Sequence, residues 1–433
     1  MASSKVGEEG VRELPPKKNE LRYYWIVIFA FFILLAETGV RNVMNVFVPY
    51  IIEEYNCTKT EADTAAIVTP SATSLMAGPL AAFIYQLVGA RISICVGAAL
   101  CFAGFLLGSF AGGIFSLYFY GLLIGIGCAL MRNSIISVQC EYFVERRNFV
   151  MAFISIGPGI GIFVLPRIIM PLIEAMSWKA AWQAMSTMYV ICFFMGLCIT
   201  KQPSAKAHTV SELLGITVWK RVDFILHVTA SFCASIVVII YVSNILVLMR
   251  WEHIEQPEHV YSYQGIASIF GRAILTLLMW KIKIHIAIIM IFNYAIAQIS
   301  LFSAIFCYGI WGFRVQNFFS GFGMGMFQAT LAPFLLTILG PSQLPAALGY
   351  TNLINGLAAF AGTRLSGAFV KLFETPRAAF LVSTVAGSLA IVFAIINSVS
   401  ILIRDRTRRL PSINQMENAA ELQALRHISA SES

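Results

Sequence analysis

Charged residues are scarce in this chain of 433 residues. Lys, Arg, Asp and Glu make up only 12% of it, against roughly 25% in soluble globular proteins. Hydrophobic residues make up 58%, and the mean hydropathy is +0.77. This composition excludes a soluble globular domain and indicates a membrane protein that crosses the bilayer several times.

The chain also lacks the motifs of enzymes and metal proteins. Its nine cysteines show no CxxC or Cys/His spacing, and all except Cys57 lie in or at the ends of apolar runs. There is no Ser/His/Asp grouping, no HExxH, and no glycine-rich phosphate loop followed by Lys-Ser/Thr. We therefore expect no enzymatic activity, no metal and no cofactor. The net charge of +8 comes without a lysine-rich face or basic-aromatic interleaving, so we expect no nucleic-acid partner.

Apolar runs of about 20 residues, the length that crosses a bilayer, predict twelve spanning helices. The first six lie at 24–50, 63–86, 91–112, 115–139, 149–173 and 178–199. The second six lie at 223–248, 261–280, 286–307, 311–339, 346–370 and 378–402. The predicted organisation is a tail at 1–23, a half at 24–199, a polar linker at 200–222, a half at 223–402 and a tail at 403–433.

The distribution of positive charge predicts the orientation. With the N-terminus inside, inner loops and tails hold nineteen Lys/Arg and the outer side holds five, so the positive-inside rule places both termini in the cytoplasm. Residues 1–23 contain no short apolar region followed by a small-residue cleavage site, and we expect this tail to be retained. Asn56-Cys57-Thr58 is a glycosylation sequon on the predicted outer side.

Two short motifs repeat between the halves. Gly125-Ile-Gly127, followed by Arg132, recurs as Gly321-Phe-Gly323, followed by Gln328. Trp178-Lys-Ala-Ala-Trp182 recurs as Pro376-Arg-Ala-Ala-Phe380. Both pair helix n with helix n+6, which is typical of two six-helix halves related by an axis along the membrane normal. The predicted fold is therefore all-α, with twelve transmembrane helices in two halves of the major facilitator type.

Arg272 has no carboxylate partner on its own helix. An arginine at the centre of a spanning helix costs roughly 2.5 to 3.5 kcal/mol, and such residues usually face a bundle interior or a watery cavity. Four residues earlier, where a helix would place a partner on the same face, stands Ser268. The simplest explanation is that the partner of Arg272 is a substrate anion, and the alternative is an ion pair with a distant helix.

The other intramembrane charges allow several interpretations. Arg41 follows Glu37, the only deeply placed carboxylate, by one helical turn, so the two can form a structural or gating pair, or Arg41 can bind substrate. Arg132 lies on a cavity helix and is a candidate substrate contact. Three further arginines lie in the outer parts of their helices, where they can snorkel or close an extracellular gate: Arg167, Arg314 and Arg364.

Two further positions in the spans stand out. Pro158, in Gly157-Pro-Gly-Ile-Gly161, together with Pro166 and Pro171, is predicted to break or kink helix five. His227 can carry a proton or serve as a packing residue.

The chain resembles the monocarboxylate transporters of the major facilitator superfamily over nearly all of residues 20–400. The resemblance lies in Glu141-Tyr-Phe-Val-Glu-Arg146-Arg147, in the glycine-rich fifth helix, in Ser177-Trp178-Lys179 and in Ser268-Ile-Phe-Gly-Arg272. It implies that Arg272 binds a carboxylate. It also implies that Asn133 is the asparagine often seen in helix four, and that a single-span accessory protein can be a partner.

The chain departs from the family pattern at two site positions. Ser268 stands where proton-coupled members have an aspartate, and Asn42 stands at the position of their helix-one lysine. These departures predict that transport depends only weakly on a proton gradient.

We therefore expect an integral protein of the plasma membrane, in contact with the lipid bilayer, that transports a small organic anion. A monocarboxylate is the expected substrate. The alternatives are a facilitator of an amino-acid-like or neutral solute, and a non-transporting receptor or scaffold with a transporter fold. The expected substrate-binding residues are Arg272, Arg132, Arg41, Asn133 and Asn42. The expected coupling or gating residues are Glu37, Ser268, Arg167, Arg314 and Arg364.

Overall fold

The computed structural model describes residues 23–199, 214–281 and 284–409. Most of the predicted N-terminal tail, residues 200–213 of the predicted linker and residues 410–433 of the predicted C-terminal tail lie outside the described residues. All regular secondary structure in the described ranges is helical.

The first half of the bundle contains helices α1 to α6. Helix α1 is Tyr24–Val43 and continues through the 3-10 turn Met44–Phe47 into Val48–Tyr55. Helix α2 consists of four consecutive segments: Lys59–Asp63, the π-helical turn Thr64–Val68, Thr69–Met76, and the part of Gly78–Gly108 that precedes Gly89. Helix α3 is the part of Gly78–Gly108 that follows Gly89. Helix α4 is Ile114–Tyr142, α5 is Arg147–Ile154 with Ile156–Ala175, and α6 is Trp178–Cys198.

The second half contains helices α7 to α12 and is preceded by the 3-10 turn Ile216–Lys220. Helix α7 is Val222–Trp251, α8 is Pro257–Lys281, and α9 is Ile286–Phe302 with the 3-10 turn Ser303–Phe306. Helix α10 is Gly309–Leu339, α11 is Leu344–Phe373, and α12 is Ala379–Arg409, after the 3-10 turn Pro376–Ala378. The predicted all-α fold of twelve helices in two halves is confirmed.

Ten helical stretches in the described part of the chain are long and apolar enough to cross a membrane. The two predicted spans outside that set are α2, which is divided into short segments, and α8, which carries Arg272. The apolar runs therefore locate the helices well, and they miss the interruptions within them.

Two interruptions differ from the sequence-based expectation. Gly89 has a φ of 82° and turns the chain between α2 and α3 without an intervening loop, in a region of φ that favours glycine. In α5 the break falls at Ser155, between Ile154 and Ile156, and Pro158 lies in the first turn of the helix after the break. Proline is tolerated in a first turn because its missing N–H has no helical partner there. Helix five is therefore broken, as predicted, but the break lies three residues before Pro158, and Pro166 and Pro171 lie inside the second segment.

Helices of one half pack mainly against one another. In the first half α1 contacts α5, and α3 contacts α4 and α6; in the second half α7 contacts α11 and α12, and α8 contacts α10. Within α4 and α10, Gly125 and Gly321 pack against α2 and α8, while Gly127 and Gly323 pack against α3 and α9. The repeated glycine motif therefore makes equivalent contacts in the two halves.

The halves meet through α2 with α11 and α5 with α8. Several of these contacts lie at the end of the bundle where α1 begins and α12 ends, which we call the terminal face. There Gly78 and Gly349 are in backbone contact, Asn133 donates to the Pro345 carbonyl at 3.2 Å, and the rings of Phe149 and Trp280 lie 6.4 Å apart. These contacts close the terminal face.

At the opposite face the described ion pairs join helices of the same half. Lys179 of α6 pairs with Glu54 of α1 at 2.5 Å, and Arg377 pairs at 2.9 Å with Glu252, the residue directly after α7. Lys179 and Arg377 are equivalent positions in the second repeated motif. Each half therefore has the same internal ion pair at this face, while the contacts described above join the halves at the terminal face.

Candidate functional site

Arg272 is buried in the bundle without an acidic partner. Its side chain is among the largest that are fully enclosed, and the residue is 2% exposed. Nη1 donates to Ser268 Oγ at 2.9 Å and Nη2 donates to Gln328 Oε1 at 2.5 Å, while Nε has no hydrogen-bond partner. Among the described residues no carboxylate lies within 4.0 Å of its guanidinium group. The positive charge is therefore solvated only by neutral dipoles.

Arg272 is surrounded by the backbone of α5, which lies very close to it, and by one exposed polar side chain. Gly159 of α5 lies so near that a Cβ there would be 2.8 Å from Nη1. Gln328 is exposed, although it lies well inside the long helix α10. It is five residues after Gly323, which packs on α9, and so lies about 140° around the helix from that contact. Its exposed side therefore faces away from α9, towards α8 and the space between the halves.

A second charged cluster lies in the first half. Glu37 of α1 is 0% exposed and accepts from Arg132 of α4, with Nη2 at 2.7 Å from both carboxylate oxygens and Nε at 3.2 Å from Oε2. Thr38 Oγ1 also donates to Oε2 at 2.8 Å. Such paired hydrogen bonds between a guanidinium and a carboxylate are the strong kind.

Arg41 is only a distant partner of Glu37. Its Nη1 lies 3.8 Å from Glu37 Oε1, beyond hydrogen-bond distance. The predicted pair of Glu37 and Arg41 is present at this longer distance, and Arg132 on a neighbouring helix is the closer partner. Helical spacing identified a residue on the correct face but could not identify the closer cation on another helix.

The expected neutral site residues lie at three different places. Ser268 contacts Arg272 directly. Asn42 is exposed, and its amide donates to the Thr38 carbonyl at 2.8 Å, one turn back on the same helix. Asn133 is buried at the closed terminal face, where its amide bonds to Pro345 and its Oδ1 has no partner. In this conformation Asn133 joins the halves.

The three outer arginines differ in exposure: Arg167 and Arg364 are exposed, whereas Arg314 is half-buried and its Nε has no hydrogen-bond partner among the described residues. Arg167 is exposed, donates to the Phe163 carbonyl at 2.8 Å and stacks over the Phe163 ring at 3.7 Å. Arg314 lies over the Trp311 ring at 4.7 Å, and Arg364 is exposed. The contacts of Arg167 and Arg314 are typical of side chains that snorkel along apolar surface.

Other polar groups in the second half belong to the packing. His227 is 1% exposed and lies 5.3 Å from the Phe334 ring, with no hydrogen-bond partner for Nε2. Tyr241 bonds to Asn317 at 2.7 Å and to Ser320 at 3.0 Å within the interior of α7 and α10. A groove of about 760 Å³ between α9 and α10 has an almost wholly apolar lining and lies away from the arginines.

Sequence reasoning missed Gln328 and Gly159 as members of the site. Gln328 did appear as the counterpart of Arg132 in the repeated motif, which is the signal that could have identified it. Gly159 appeared only as part of a glycine-rich helix. Neither residue has a sequence spacing that links it to Arg272, because the contacts are between helices.

The comparisons with known proteins agree with this architecture. Residues 27–315 match the sequence profile of the Major Facilitator Superfamily. Human monocarboxylate transporter 6 is 23% identical over 379 residues, which cover 79% of this chain and 74% of that protein. Chicken monocarboxylate transporter 9 is 33% identical over 101 residues, 23% of this chain and 20% of that protein. Zebrafish monocarboxylate transporter 12-B is 29% identical over 189 residues, 43% of this chain and 38% of that protein.

Solved structures show the same fold. A crystal structure of the transporter FucP in the outward conformation has a TM-score of 0.70 at 12% identity, covering 88% of this chain and 99% of that one. The proton:xylose symporter XylE has a TM-score of 0.70 at 14% identity, covering 87% of this chain and 96% of that one. At these identities the likeness concerns the fold alone.

The profile match and the twelve-helix architecture define an integral membrane transporter, and the chain belongs to the Major Facilitator Superfamily. Within that superfamily it is a divergent relative of the monocarboxylate transporters, as its motifs predicted. The fold and the relatives are those of transporters, which are not enzymes.

Proposed function

We propose that this secondary transporter carries a small organic anion, of which a monocarboxylate is the expected kind, and that Arg272 binds the carboxylate. The observation that carries the proposal is the environment of Arg272: buried, without a carboxylate in the described part of the chain, and held by Ser268 and Gln328. An ionised side chain within a membrane normally has a charged or backbone partner. A substrate anion would supply that partner.

The geometry suits a carboxylate. Ser268 orients one side of the guanidinium group, and Gln328 occupies the other through an exposed amide that an incoming anion could displace. Nε has no partner and offers a further donor. A planar guanidinium fork binds a carboxylate through two parallel hydrogen bonds, which a lysine ammonium cannot reproduce.

In the proposed transport cycle the substrate lies between the halves, which open alternately to the two sides. We propose that both termini are cytoplasmic, because the excess of Lys and Arg on one side follows the positive-inside rule. We also propose that the protein lies in the plasma membrane. In that orientation the closed terminal face is the cytoplasmic one, and we propose that the described conformation is open outwards. Asn133 would then help to close the inner gate, while Arg167, Arg314 and Arg364 would border the outer opening.

The experiment is uptake by purified protein in proteoliposomes, across a panel of carboxylates, amino acids, amines and neutral solutes. We expect uptake of carboxylates by the wild type, a loss to background in Arg272→Ala, and impaired uptake in Arg272→Lys. Lys371→Ala, which removes an exposed cation of α11 far from this site, is the matched control. Normal carboxylate uptake by Arg272→Ala would contradict the proposal.

The same panel separates the alternatives. Uptake restricted to amino acids or neutral solutes would favour the alternative that the protein is a facilitator of such a solute. Background uptake of every compound, together with binding of a cytosolic partner, would favour a receptor or scaffold. The resemblance to the monocarboxylate transporters extends the proposal to a single-span accessory protein, which co-purification from the native membrane would identify.

A further inference from the structure

We propose that the substrate carries two anionic groups, and that the second group binds Arg132 while Glu37 moves from Arg132 to Arg41. This inference rests on the proposed carboxylate site at Arg272. It keeps the proposed organic-anion substrate and the site at Arg272, and it replaces the expected monocarboxylate by a dianion such as a dicarboxylate.

The balance of charge supports two anionic groups. The first-half cluster contains two cations, Arg41 and Arg132, for one carboxylate, Glu37. The second half adds Arg272, which has no acidic partner in the described ranges. Uncompensated charge inside a membrane protein is expensive. Three cations and one carboxylate leave two positive charges without a counter-ion. A ligand with one anionic group would compensate one of these charges, whereas a dianion would compensate both.

The internal repeat supports the position of the second site. Arg132 and Gln328 each follow the paired glycines by five residues, and those glycines make equivalent contacts in the two halves. Arg132 and Gln328 therefore occupy equivalent places on α4 and α10. Each binds a charged residue of a neighbouring helix, Glu37 and Arg272 respectively. A ligand held at Arg272 and Arg132 would thus bridge the two halves at similar depth.

The arrangement around Glu37 explains why Arg132 can accept a ligand. The side chains of Arg132 and Arg41 are 17% and 19% exposed and that of Glu37 is 0% exposed, so a ligand can approach either cation but not the resident carboxylate. The repeat, which makes Arg132 the equivalent of Gln328, favours Arg132 as the ligand site. Arg41 Nη1 lies 3.8 Å from Glu37 Oε1, the oxygen that also accepts from Arg132 Nη2, and no hydrogen bond joins the Arg41 guanidinium to a described residue. When a ligand anion takes Arg132, Glu37 can keep a counter-ion by turning towards Arg41. Arg41 is therefore a positioning residue.

The first test compares two four-carbon acids in proteoliposomes, succinate with two carboxylates and butyrate with one. For the wild type we expect a higher kcat/KM for succinate than for butyrate. Butyrate transported as well as succinate, or better, would overturn the inference. It would leave the proposed carboxylate site intact, provided that Arg272→Ala abolishes butyrate uptake.

The second test uses variants that move the succinate to butyrate ratio of kcat/KM in opposite directions. Arg132→Gln removes the second site, and loss of one hydrogen bond to a charged group corresponds to about a tenfold fall in the ratio or more. Arg41→Gln leaves the Arg132–Glu37 pair in place but removes the alternative partner, so the ratio also falls. Glu37→Gln removes the resident competitor, so the ratio rises.

A purely structural cluster would behave differently. It would lower transport of both acids in all three variants, because a general loss of folded protein does not discriminate between them. A ratio that stays constant, or that changes in the same direction in all three variants, would therefore overturn the inference. Uptake of no carboxylate of the panel by the wild type, or uptake of both acids by Arg272→Ala, would instead contradict the proposed function.

Discussion

The two halves of the bundle stabilise their buried charges in different ways. In the first half a carboxylate, Glu37, is bound by Arg132 on a neighbouring helix. In the second half Arg272 donates only to the hydroxyl of Ser268 on its own helix and to the amide oxygen of the exposed Gln328. Yet Arg132 and Gln328 are equivalent positions of the repeat. The equivalent position therefore holds a cation that binds a carboxylate in the first half. In the second half it holds a neutral side chain that accepts a hydrogen bond from a cation.

This difference predicts that the buried charges of the two halves affect folding to different extents. Removing one partner of a buried ion pair leaves an uncompensated charge, which costs roughly 3 to 5 kcal/mol. Removing a cation that has no acidic partner leaves no such charge behind. The first-half cluster should thus affect folding strongly, whereas Arg272 should affect transport with little effect on folding.

The largest expected effect is on stability. The double variant Arg41→Gln/Arg132→Gln leaves Glu37 without a cation and should lose roughly 3 to 5 kcal/mol. Each single variant should lose much less, because the other arginine remains, so the two effects should be far from additive. Thermal denaturation in detergent measures this, with Arg272→Gln as the matched control that we expect to be close to wild type. Additive single effects, or an equally unstable Arg272→Gln, would remove the distinction between the halves.

The contact between the halves provides the next test. A Cβ at Gly349 would lie 2.6 Å from the carbonyl oxygen of Gly78, and overpacking of this kind typically costs roughly 1 to 3 kcal/mol. Gly349→Ala should therefore destabilise the closed terminal face and shift the protein towards the conformation that is open there. Spin-label distances across the terminal face measure the shift.

Gly367→Ala on the same helix is the control for that experiment, since nothing lies within 4 Å of a Cβ at Gly367. Identical distance distributions for the two variants would show that the α2–α11 contact does not hold the face closed.

A smaller effect is expected from Gly159→Ala. The new Cβ would lie 2.8 Å from Arg272 Nη1, so the guanidinium group must move away from its place beside Ser268. We expect about a tenfold loss in kcat/KM for the substrate anion, comparable to the loss of one hydrogen bond to a charged group, with little change in stability. Gly265→Ala on α8, where a Cβ meets no atom within 4 Å, is the control. Equal transport by the two variants would show that the placement of Arg272 is not critical.

The smallest expected effect is that of a proton gradient. The second half has Ser268 where a proton-carrying carboxylate would stand, and Glu37 in the first half is bound by Arg132. We therefore expect uptake to respond weakly to an imposed pH gradient, and Glu37→Gln to change the rate more than the final accumulation. Uptake into proteoliposomes under an inward proton gradient, with and without an uncoupler, is the measurement. Strong accumulation that the uncoupler abolishes, and that Glu37→Gln lacks, would assign proton coupling to Glu37.

Much of the fold was predictable because bilayer thickness acts on consecutive residues. The predicted starts of helices one, six and nine, at residues 24, 178 and 286, coincide with the observed ones. The interruptions were less predictable. The π-helical turn Thr64–Val68 and the break at Ser155 lie inside apolar runs that read as continuous, since such defects depend on contacts with neighbouring helices.

The candidate site was predictable to the same extent. The absence of a carboxylate one turn from Arg272 can be read directly, because helical spacing determines which residues of one helix can meet. Gln328 and Gly159 could not be assigned in this way, since they come from α10 and α5. The partner of Glu37 shows the same limit of helical spacing. Spacing indicated Arg41 on the same helix, whereas the closer cation, Arg132, lies on α4.

The sequence by itself determined the number of spans, the division into two halves and the set of charges placed within the membrane. These follow from composition and local spacing, because each spanning segment must satisfy its own backbone and bear the cost of each charge it carries. Only the tertiary structure decided that Arg132 binds Glu37, that Gln328 contacts Arg272 and that the halves meet at the terminal face. Those choices depend on distances between helices of a few ångströms, which the packing of glycines and side chains sets and no sequence spacing encodes.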